Sequence, residues 1–265
     1  MMKKYAIPFG GFVAACASLL LSGCGEELMP QEVNTSTPVV ESYLEEGKNS
    51  ISVKLYSMEV FLKEDYIFSK PLTGLTLKIN DRELTETDKG LYTLALGEDT
   101  IREGREYALQ FDYGGKAINA STLVPQSVKN LKVEPEYMEQ SASYGYWNTE
   151  SDSVRITLTW DNPDNGYYQV YVDASNTSSD FFDTNSRRRM MQPIQAASYA
   201  MPPMEFRSVG NYYMYVYRVN KEYVELYERI SSSDLANPVS FIDNALGIFT
   251  SMSVAWVKFQ VIEAE

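Results

Sequence analysis

Three aromatic residues close together in the chain are the first candidates for ligand binding. Tyr144, Tyr146 and Trp147 lie within one short stretch that also holds Gly145. Aromatic faces of this kind stack on sugars or peptides and lose little side-chain entropy when they do so. A structural role in a half-buried strand is the alternative for tyrosine. We predict a ligand-binding loop here, with a peptide or a glycan as its ligand.

A run of three arginines is the second candidate. Arg187, Arg188 and Arg189 are consecutive, and a guanidinium group can hold a carboxylate or a phosphate through two parallel hydrogen bonds. The alternative is a solvated basic patch that balances nearby acids and is readily cut by proteases. The run lies in residues 173–208, the longest stretch without hydrophobic periodicity, and loops of that length are usually functional or disordered.

Metal and catalytic chemistry have little support in the sequence. The run from Asp161 to Gly166 is rich in oxygen ligands, but an EF-hand loop needs an acid or amide where Pro163 stands and a glutamate where Val172 stands. A simple turn is therefore predicted there. Histidine is absent, which excludes Ser-His-Asp catalysis and His-ligated metals. We predict no enzyme activity, no metal site and no cofactor.

Two short motifs resemble the O-glycosylation sequon of Bacteroidota. They are centred on Thr100, between Asp99 and Ile101, and on Ser153, between Asp152 and Val154. The pattern is loose, and it marks the two hydroxyl groups as candidate modification sites.

The N-terminus has the features of an export signal. Lys3 and Lys4 precede an apolar stretch over residues 6–21 that is too short for a comfortable membrane span. Leu21-Ser22-Gly23-Cys24 follows and resembles the bacterial lipobox. The resemblance implies removal of residues 1–23 and lipidation of Cys24, which would anchor the chain to a membrane without crossing it. An ordinary signal peptide with a chance cysteine is the alternative.

The residues after Cys24 bear on which side of the membrane the protein faces. Gly25 is followed by Glu26 and Glu27, a short acidic pair that resembles the surface-export signal of Bacteroidota lipoproteins. We therefore expect an outer-membrane protein exposed at the cell surface, with a periplasm-facing anchor as the alternative. Residues 24–37 are mostly polar and contain Pro30, which is typical of a tether.

Overall charge argues against nucleic acid as a partner. Lys and Arg total 23, whereas Asp and Glu total 36, so the net charge is −13. A surface this acidic repels phosphate backbones. The two cysteines, Cys16 and Cys24, both lie near the N-terminus, so no disulfide is expected within the fold.

The elements that must carry these residues are β-strands. Residues 38–125 alternate apolar and polar side chains, as in the run of Ile51, Val53 and Leu55. Tyr107, Leu109, Phe111 and Tyr113 share one strand face and lead into Gly114-Gly115, a hairpin signal. We predict an antiparallel sandwich for this segment, and the family resemblance described below implies that it is transthyretin-like or carboxypeptidase-regulatory-like.

A second sandwich is predicted over residues 126–265. Ile156, Leu158 and Trp160 alternate with polar residues, and a turn then leads into the strand that begins at Tyr167. This pattern resembles strands B and C of an immunoglobulin or fibronectin type III domain, in which the tryptophan is a core residue. Tyr212 and Tyr213, in a later strand, are further stacking candidates. One short helix is expected near 221–231, with Asn220 as its cap.

Several landmarks are similar to those of one lipoprotein family of Bacteroidota. They are Val39 to Leu44, Gly90-Leu91-Tyr92, Asp161-Asn162-Pro163, Asn237-Pro238, and Leu246-Gly247-Ile248-Phe249 before the final strand. The family is filed as domain of unknown function 4249. The resemblance implies a non-catalytic accessory protein that captures or gates a ligand beside a TonB-dependent receptor. A fimbrial or adhesin-type structural subunit is the alternative, with the arginine run as its maturation site.

Overall fold

Strands form nearly all the regular structure, as the alternation predicts. The computed structural model describes residues 37–61, 66–140, 155–177, 188–206, 208–231 and 241–264. Within these ranges one α-helix, α1, spans Lys221–Ser231, and a 3-10 turn spans Pro203–Glu205. The prediction of an all-β fold with one short helix near 221–231 is confirmed.

In the described residues, nine strands lie before residue 125 and eight after it. The first nine are β1 (Pro38–Glu45), β2 (Ser50–Phe61), β3 (Tyr66–Pro71), β4 (Lys78–Ile79), β5 (Arg82–Glu83), β6 (Thr85–Asp88), β7 (Leu91–Ala95), β8 (Glu106–Tyr113) and β9 (Lys116–Leu123). The others are β10 (Lys132–Glu134), β11 (Tyr137–Gln140), β12 (Ile156–Thr159), β13 (Tyr167–Thr177), β14 (Arg188–Met190), β15 (Ser198–Met201), β16 (Gly210–Val219) and β17 (Leu246–Glu263).

These strands make three sheets around two hydrophobic clusters. The largest sheet has the order β14-β13-β16-β17-β1-β2-β7-β6, with β11 also paired to β17 and β3 to β2. A four-stranded sheet, β5-β4-β8-β9, encloses the first cluster against one half of it. A three-stranded sheet, β10-β12-β15, encloses the second cluster against the other half. The molecule is thus two sandwiches that share one wall.

Strand β17 joins the two halves of the large sheet. Its first part, Leu246 to Met252, pairs in parallel with Val39 to Glu45 of β1. Its later part, from Met252 to Val261, pairs antiparallel with β16. Most other pairs are antiparallel, but β11 also runs parallel to β17.

The shared strand moves part of the C-terminal segment into the first sandwich. The sequence places all of residues 126–265 in the second sandwich. Ile242, Ala245 and Phe249, however, are buried in the first cluster beside Val40 and Leu44. The physical reason is that β1 would otherwise leave one edge unpaired, and β17 covers it.

The long aperiodic segment also differs from the sequence prediction. Residues 173–208 contain the end of β13, the whole of β14 and β15, and the 3-10 turn. The strands β14 and β15 are three and four residues long, too short for alternation to stand out. Met201 is the fully buried residue of β15, at 1% exposure.

The predicted hairpin turn at Gly114-Gly115 is confirmed, and a second two-residue turn lies at Asn80-Asp81. Gly114 and Gly115 have positive φ and connect β8 to β9, with Tyr113 paired to Lys116. Asn80 and Asp81 also have positive φ and connect β4 to β5. Positive φ at both central residues is what a two-residue turn needs to match the strand twist.

Asn220 joins the two sandwiches at the start of α1. Its backbone oxygen accepts a hydrogen bond from the N–H of Tyr223 at 3.2 Å. Its side-chain amide, predicted as a helix cap, instead donates to Thr122 Oγ1 and the Leu123 carbonyl, both at 3.1 Å. It also reaches Ser251 Oγ at 3.2 Å. These bonds satisfy polar groups that the shared wall buries.

Candidate functional site

An aromatic surface covers the outer side of the large sheet in its second half. Along β16 the even-numbered residues Tyr212, Met214 and Val216 point into the second cluster. Because side chains alternate along a strand, Tyr213, Tyr215 and Tyr217 point the other way. We define the aromatic face as these three tyrosines together with Tyr171 of β13 and Trp256 of β17, which both pair with Tyr215.

The rings of the aromatic face contact one another. The centroids of Tyr213 and Trp256 are 5.7 Å apart with an interplanar angle of 63°. Tyr171 and Tyr215 are also 5.7 Å apart, and Tyr215 stacks on Tyr217 at 6.3 Å. These separations are typical of favourable aromatic pairs. The rings are therefore held in place before any ligand arrives, and Trp256 remains 59% exposed.

Polar side chains border the far end of the aromatic face. Lys258 pairs with Tyr213, and Gln260 pairs with Asn211. The amide of Gln260 donates to Asn211 Oδ1 at 3.0 Å, and Asp173 lies opposite Tyr213 in the neighbouring strand. The surface thus presents hydrogen-bonding groups beside its rings.

Helix α1 covers the near end of the aromatic face. The hydroxyl of Tyr223 donates to Gln169 Oε1 at 2.6 Å, and its ring meets the edge of Tyr43 at 6.2 Å. Thr250 Oγ1 donates to Glu222 Oε1 at 2.8 Å. The helix therefore packs on the sheet at the Tyr217 end of the aromatic face. The end with Tyr213 and Trp256 stays open.

Burial keeps the side chains of Tyr217 and Tyr43 neutral. It raises the pKa of Tyr217 to about 12, and the carboxylate of Glu45 adds to the rise. It likewise raises the pKa of Tyr43 to about 12, with a further contribution from Glu41. Such phenols donate and accept hydrogen bonds but do not act as bases near neutral pH.

A shallow groove lies beside the aromatic face. Its volume is about 480 Å³, and it is lined by Met190, Met191, Gln192, Ile194, Tyr199, Glu205 and Tyr227. Met190 connects the two surfaces because it pairs with Tyr171. The lining mixes apolar and polar side chains, so the groove extends the contact area beside the rings.

Most of the site residues predicted from the sequence lie outside the described ranges. These are Cys24, Tyr144, Tyr146, Trp147, Ser153 and Arg187, together with the predicted signal peptide 1–23 and nearly all of the tether 24–37. For Arg188 and Arg189 the structure describes the backbone only, as part of the edge strand β14, with Arg188 opposite Asp173.

Thr100 lies in a turn held by charged neighbours. Its N–H donates to the carboxylate of Asp99 at 2.9 Å. Asp99 also binds Arg102 at 2.7 Å and Arg105 at 2.6 Å. The hydrogen bond from Arg105, then that from the Thr100 N–H, lower the pKa of Asp99. Thr100 itself is half-buried.

The acidic turn predicted between β12 and β13 is bonded to protein groups. The N–H of Gly166 donates to Asn162 Oδ1 at 2.7 Å, and Asn130 donates to Asp161 Oδ2 at 2.7 Å. Asp164 forms an ion pair with the buried Arg218. Over the residues that the structure describes, His, Cys, Asp and Glu nowhere gather in a group of three or more able to hold a metal ion.

Trp256 is the exposed aromatic residue that the sequence reasoning missed. Val257, Phe259 and Val261 alternate with polar or small residues in the sequence, and this alternation places Trp256 on the opposite face of the strand. Of the two further stacking candidates, Tyr213 belongs to the aromatic face, whereas Tyr212 is 2% exposed and bonds its hydroxyl to the Ser208 carbonyl. Trp160 is a core residue, as predicted, at 4% exposure.

None of the helical segments in the described ranges has the length and apolar character needed to cross a bilayer.

Comparisons of the chain with solved structures give matches of low identity. Domains from titin match at 11% identity over 85% of this chain and 66% of that one, with a TM-score of 0.24. A cytokine receptor complex matches at 11% identity over 83% and 99%, with a TM-score of 0.29. The central fibronectin-III array of RIM-binding protein matches at 8% identity over 88% and 71%, with a TM-score of 0.25. No curated protein matches the sequence.

One protein family matches nearly the whole chain. Its profile, described as "Domain of unknown function (DUF4249)", aligns with residues 26–256. The matched segment contains β1 to β16, α1 and most of β17, and it therefore includes both sandwiches and the aromatic face. The chain belongs to the DUF4249 family.

Proposed function

We propose that this chain is a non-catalytic, lipid-anchored outer-membrane protein that captures a ligand for a TonB-dependent receptor. The observation that carries the proposal is the aromatic face, on which Trp256 is 59% exposed while its ring contacts Tyr213. Contiguous apolar surface of this kind on a soluble domain marks a place where a partner or ligand binds.

The chemistry of the aromatic face supports binding rather than bond making. Burial raises the pKa of Tyr217 to about 12, and histidine is absent from the whole sequence. Catalysis would need an activated nucleophile, paired carboxylates or a metal beside the bound ligand. The rings of Tyr213 and Trp256 instead provide flat apolar contacts on a rigid sheet. We therefore assign no cofactor to the protein.

The proposed anchor is the lipid on Cys24. The lipobox motif supports removal of residues 1–23, and residues 24–37 would then act as the tether between the membrane and β1. The acidic pair Glu26-Glu27 supports the cell surface as the location, with the periplasmic face as the alternative. A TonB-dependent receptor as the partner rests on the family resemblance.

The position of β17 favours this proposal over the fimbrial alternative. Subunits that polymerise by strand exchange add a donated strand to an exposed sheet edge. The last strand of this chain is instead central, because β16 and β1 flank it on its two sides. Its removal would open both hydrophobic clusters.

The test is a pull-down from native membranes. A tagged full-length chain is recovered from gently solubilised membranes, and its partners are identified by mass spectrometry and on an unboiled gel. We expect a TonB-dependent receptor near a one-to-one ratio. The Cys24→Ala variant should lose the membrane fraction and the lipid mass, while its thermal unfolding stays unchanged.

Two results would count against the proposal. Recovery of the chain without any receptor would remove the accessory role. A ladder of heat-resistant self-oligomers without a receptor would support the fimbrial alternative. Protease treatment of intact cells separates the surface location from the periplasmic one, because only a surface protein is digested.

A further inference from the structure

The open part of the aromatic face combines rings with polar side chains. Its outward positions on β13, β16 and β17 are occupied by rings, amides and charged groups, among them Trp256, Tyr213, Asn211, Gln260 and Lys258. Tyrosine and tryptophan also occur in the cores of protein interfaces, but charged residues are depleted there. Rings bordered by amides and a lysine match a ligand that carries C–H faces and hydroxyl groups together.

The arrangement of the rings suits an extended ligand. Tyr213, Tyr215 and Tyr217 follow one another along β16, at alternate positions about 6.8 Å apart. Trp256 lies across from Tyr215 on the neighbouring strand. The sheet presents these side chains on one side, so a chain of sugar rings could contact several of them in succession.

A further exposed ring and a pair of amides lie beside these tyrosines and Trp256. Tyr137 of β11 is 53% exposed and pairs with Gln260, so it adds a ring on the same side of the sheet. The amide pair of Asn211 and Gln260 lies between that ring and Tyr213. Planar amides hydrogen-bond sugar hydroxyls as both donors and acceptors.

Charge narrows the class of ligand. The chain carries a net charge of −13, and Asp173 lies in the strand next to Tyr213. A polyanionic glycan would be repelled by this field, and Lys258 offers one opposing charge. A neutral glycan is not repelled by these negative charges.

We propose that the aromatic face binds a neutral oligosaccharide or polysaccharide by stacking its sugar rings on Trp256 and Tyr213, with Asn211 and Gln260 bonding its hydroxyl groups. This inference rests on the proposed capture function and gives its ligand class. It adds a stacking site on the sheet to the predicted loop at Tyr144, Tyr146 and Trp147, which lies outside the described residues.

The test measures binding to defined glycans. The lipid-free chain from residue 25 onward, with Thr35–Glu265 forming one compact unit, is run through native gels that contain a mixed-linkage β-glucan, a xylan, an α-mannan or the anionic polymer pectin. We expect retardation by at least one neutral polymer and none by pectin. Trp256→Ala should weaken binding at least about tenfold, and Trp256→Phe should restore most of it.

Matched controls locate the contact. Leu123→Ala removes an apolar side chain from the four-stranded sheet and should leave binding unchanged. Leu123 is 58% exposed, which is close to the exposure of Trp256. A triple alanine variant of Tyr144, Tyr146 and Trp147 tests the loop. In a Trp147→Phe background, the fluorescence of Trp256 should shift to shorter wavelength when the glycan covers it, since Trp160 is already buried.

Defined results overturn the inference. It fails if no neutral polymer retards the chain, if the loop variant rather than Trp256→Ala loses binding, or if Trp256 proves to hold a dimer in sedimentation experiments. The receptor pull-down with the wild-type chain separates the two proposals. If that chain recovers the receptor but binds no glycan, this inference alone is overturned. If that chain recovers no receptor, the proposed function is overturned.

Discussion

Gly247 of β17 lies so close to Val40 of β1 that a Cβ atom on Gly247 would overlap the Val40 carbonyl oxygen. The two residues are partners in the parallel register that joins the two sandwiches. Gly247 also has a φ of 93°, a region that other residues rarely adopt. The glycine of the Leu246-Gly247-Ile248-Phe249 landmark therefore has a structural role.

Replacing Gly247 with alanine should destabilise the fold strongly. The variant would combine a steric overlap with backbone strain, and we expect a loss of at least about 3 kcal/mol in the free energy of unfolding. Urea denaturation measures it. Gly97→Ala is the matched control, because Gly97 also has positive φ but has open space around its Cβ position. Its cost should be only about 1 kcal/mol. Equal losses in the two variants would show that φ alone matters.

The strands and their faces could largely be predicted from the sequence, because alternation is a local signal. Tyr107, Leu109 and Phe111 are buried on one face of β8, as their spacing indicated. The sharing of β17 could not be predicted. The partners Val39 and Leu246 are far apart in the chain, and nothing in local periodicity specifies which distant strand covers an edge.

In the candidate site, too, local features could be predicted from the sequence and contacts between distant strands could not. The loop at Tyr144 to Trp147 can be predicted because its aromatic residues are adjacent in sequence, and it lies outside the described residues. The aromatic face joins residues from three strands, and Tyr171 meets Tyr215 only through the strand order. The outward direction of Trp256 was available from alternation, but its neighbours were not.

The ion pair between Arg218 and Asp164 predicts an asymmetric response to mutation. The side chain of Arg218 is 9% exposed, whereas that of Asp164 is 52% exposed. Asp164→Asn leaves a buried cation without its counter-charge and should cost about 3 kcal/mol. Arg218→Met leaves a carboxylate that water can reach, so its cost should be smaller, about 1 kcal/mol.

Thermal and urea unfolding of the two single variants and the double variant measure this difference. The double variant should be about as stable as Arg218→Met, because without Arg218 the Asp164→Asn change no longer leaves a buried charge unpaired. An Arg218→Met variant less stable than Asp164→Asn would show that packing against Gly166 and Tyr168, rather than charge, dominates this contact.

The raised pKa values of Tyr43 and Tyr217 predict a loss of stability in alkaline solution. Both lie near 12 in the folded chain against an ordinary value of 10. Between pH 10 and 12 the unfolded chain loses these protons while the folded chain keeps them, so unfolding is favoured as the pH rises. The stabilisation is complete below pH 10 and is lost as the pH passes through about 12.

Urea midpoints measured from neutral pH to pH 12, with phenolate absorbance as a second probe, test this dependence. Tyr217→Phe removes one of the two groups and keeps its ring. Its urea midpoint should therefore fall less steeply above pH 10 than that of the wild type. An equal slope in both proteins would show that Tyr217 does not contribute to the alkaline transition.

The shared strand β17 predicts that the two sandwiches unfold together. Phe249 belongs to the first cluster and Phe259 to the second, and both lie on this one strand. Leu109→Ala and Met214→Ala each empty a fully buried position in one cluster, and each should cost about 2–5 kcal/mol. In calorimetry each variant should show a single transition, shifted to lower temperature, with the tryptophan fluorescence change at the same midpoint. Two transitions, of which each variant moves only one, would mean that the parallel pairing of β1 with β17 is too weak to couple the clusters.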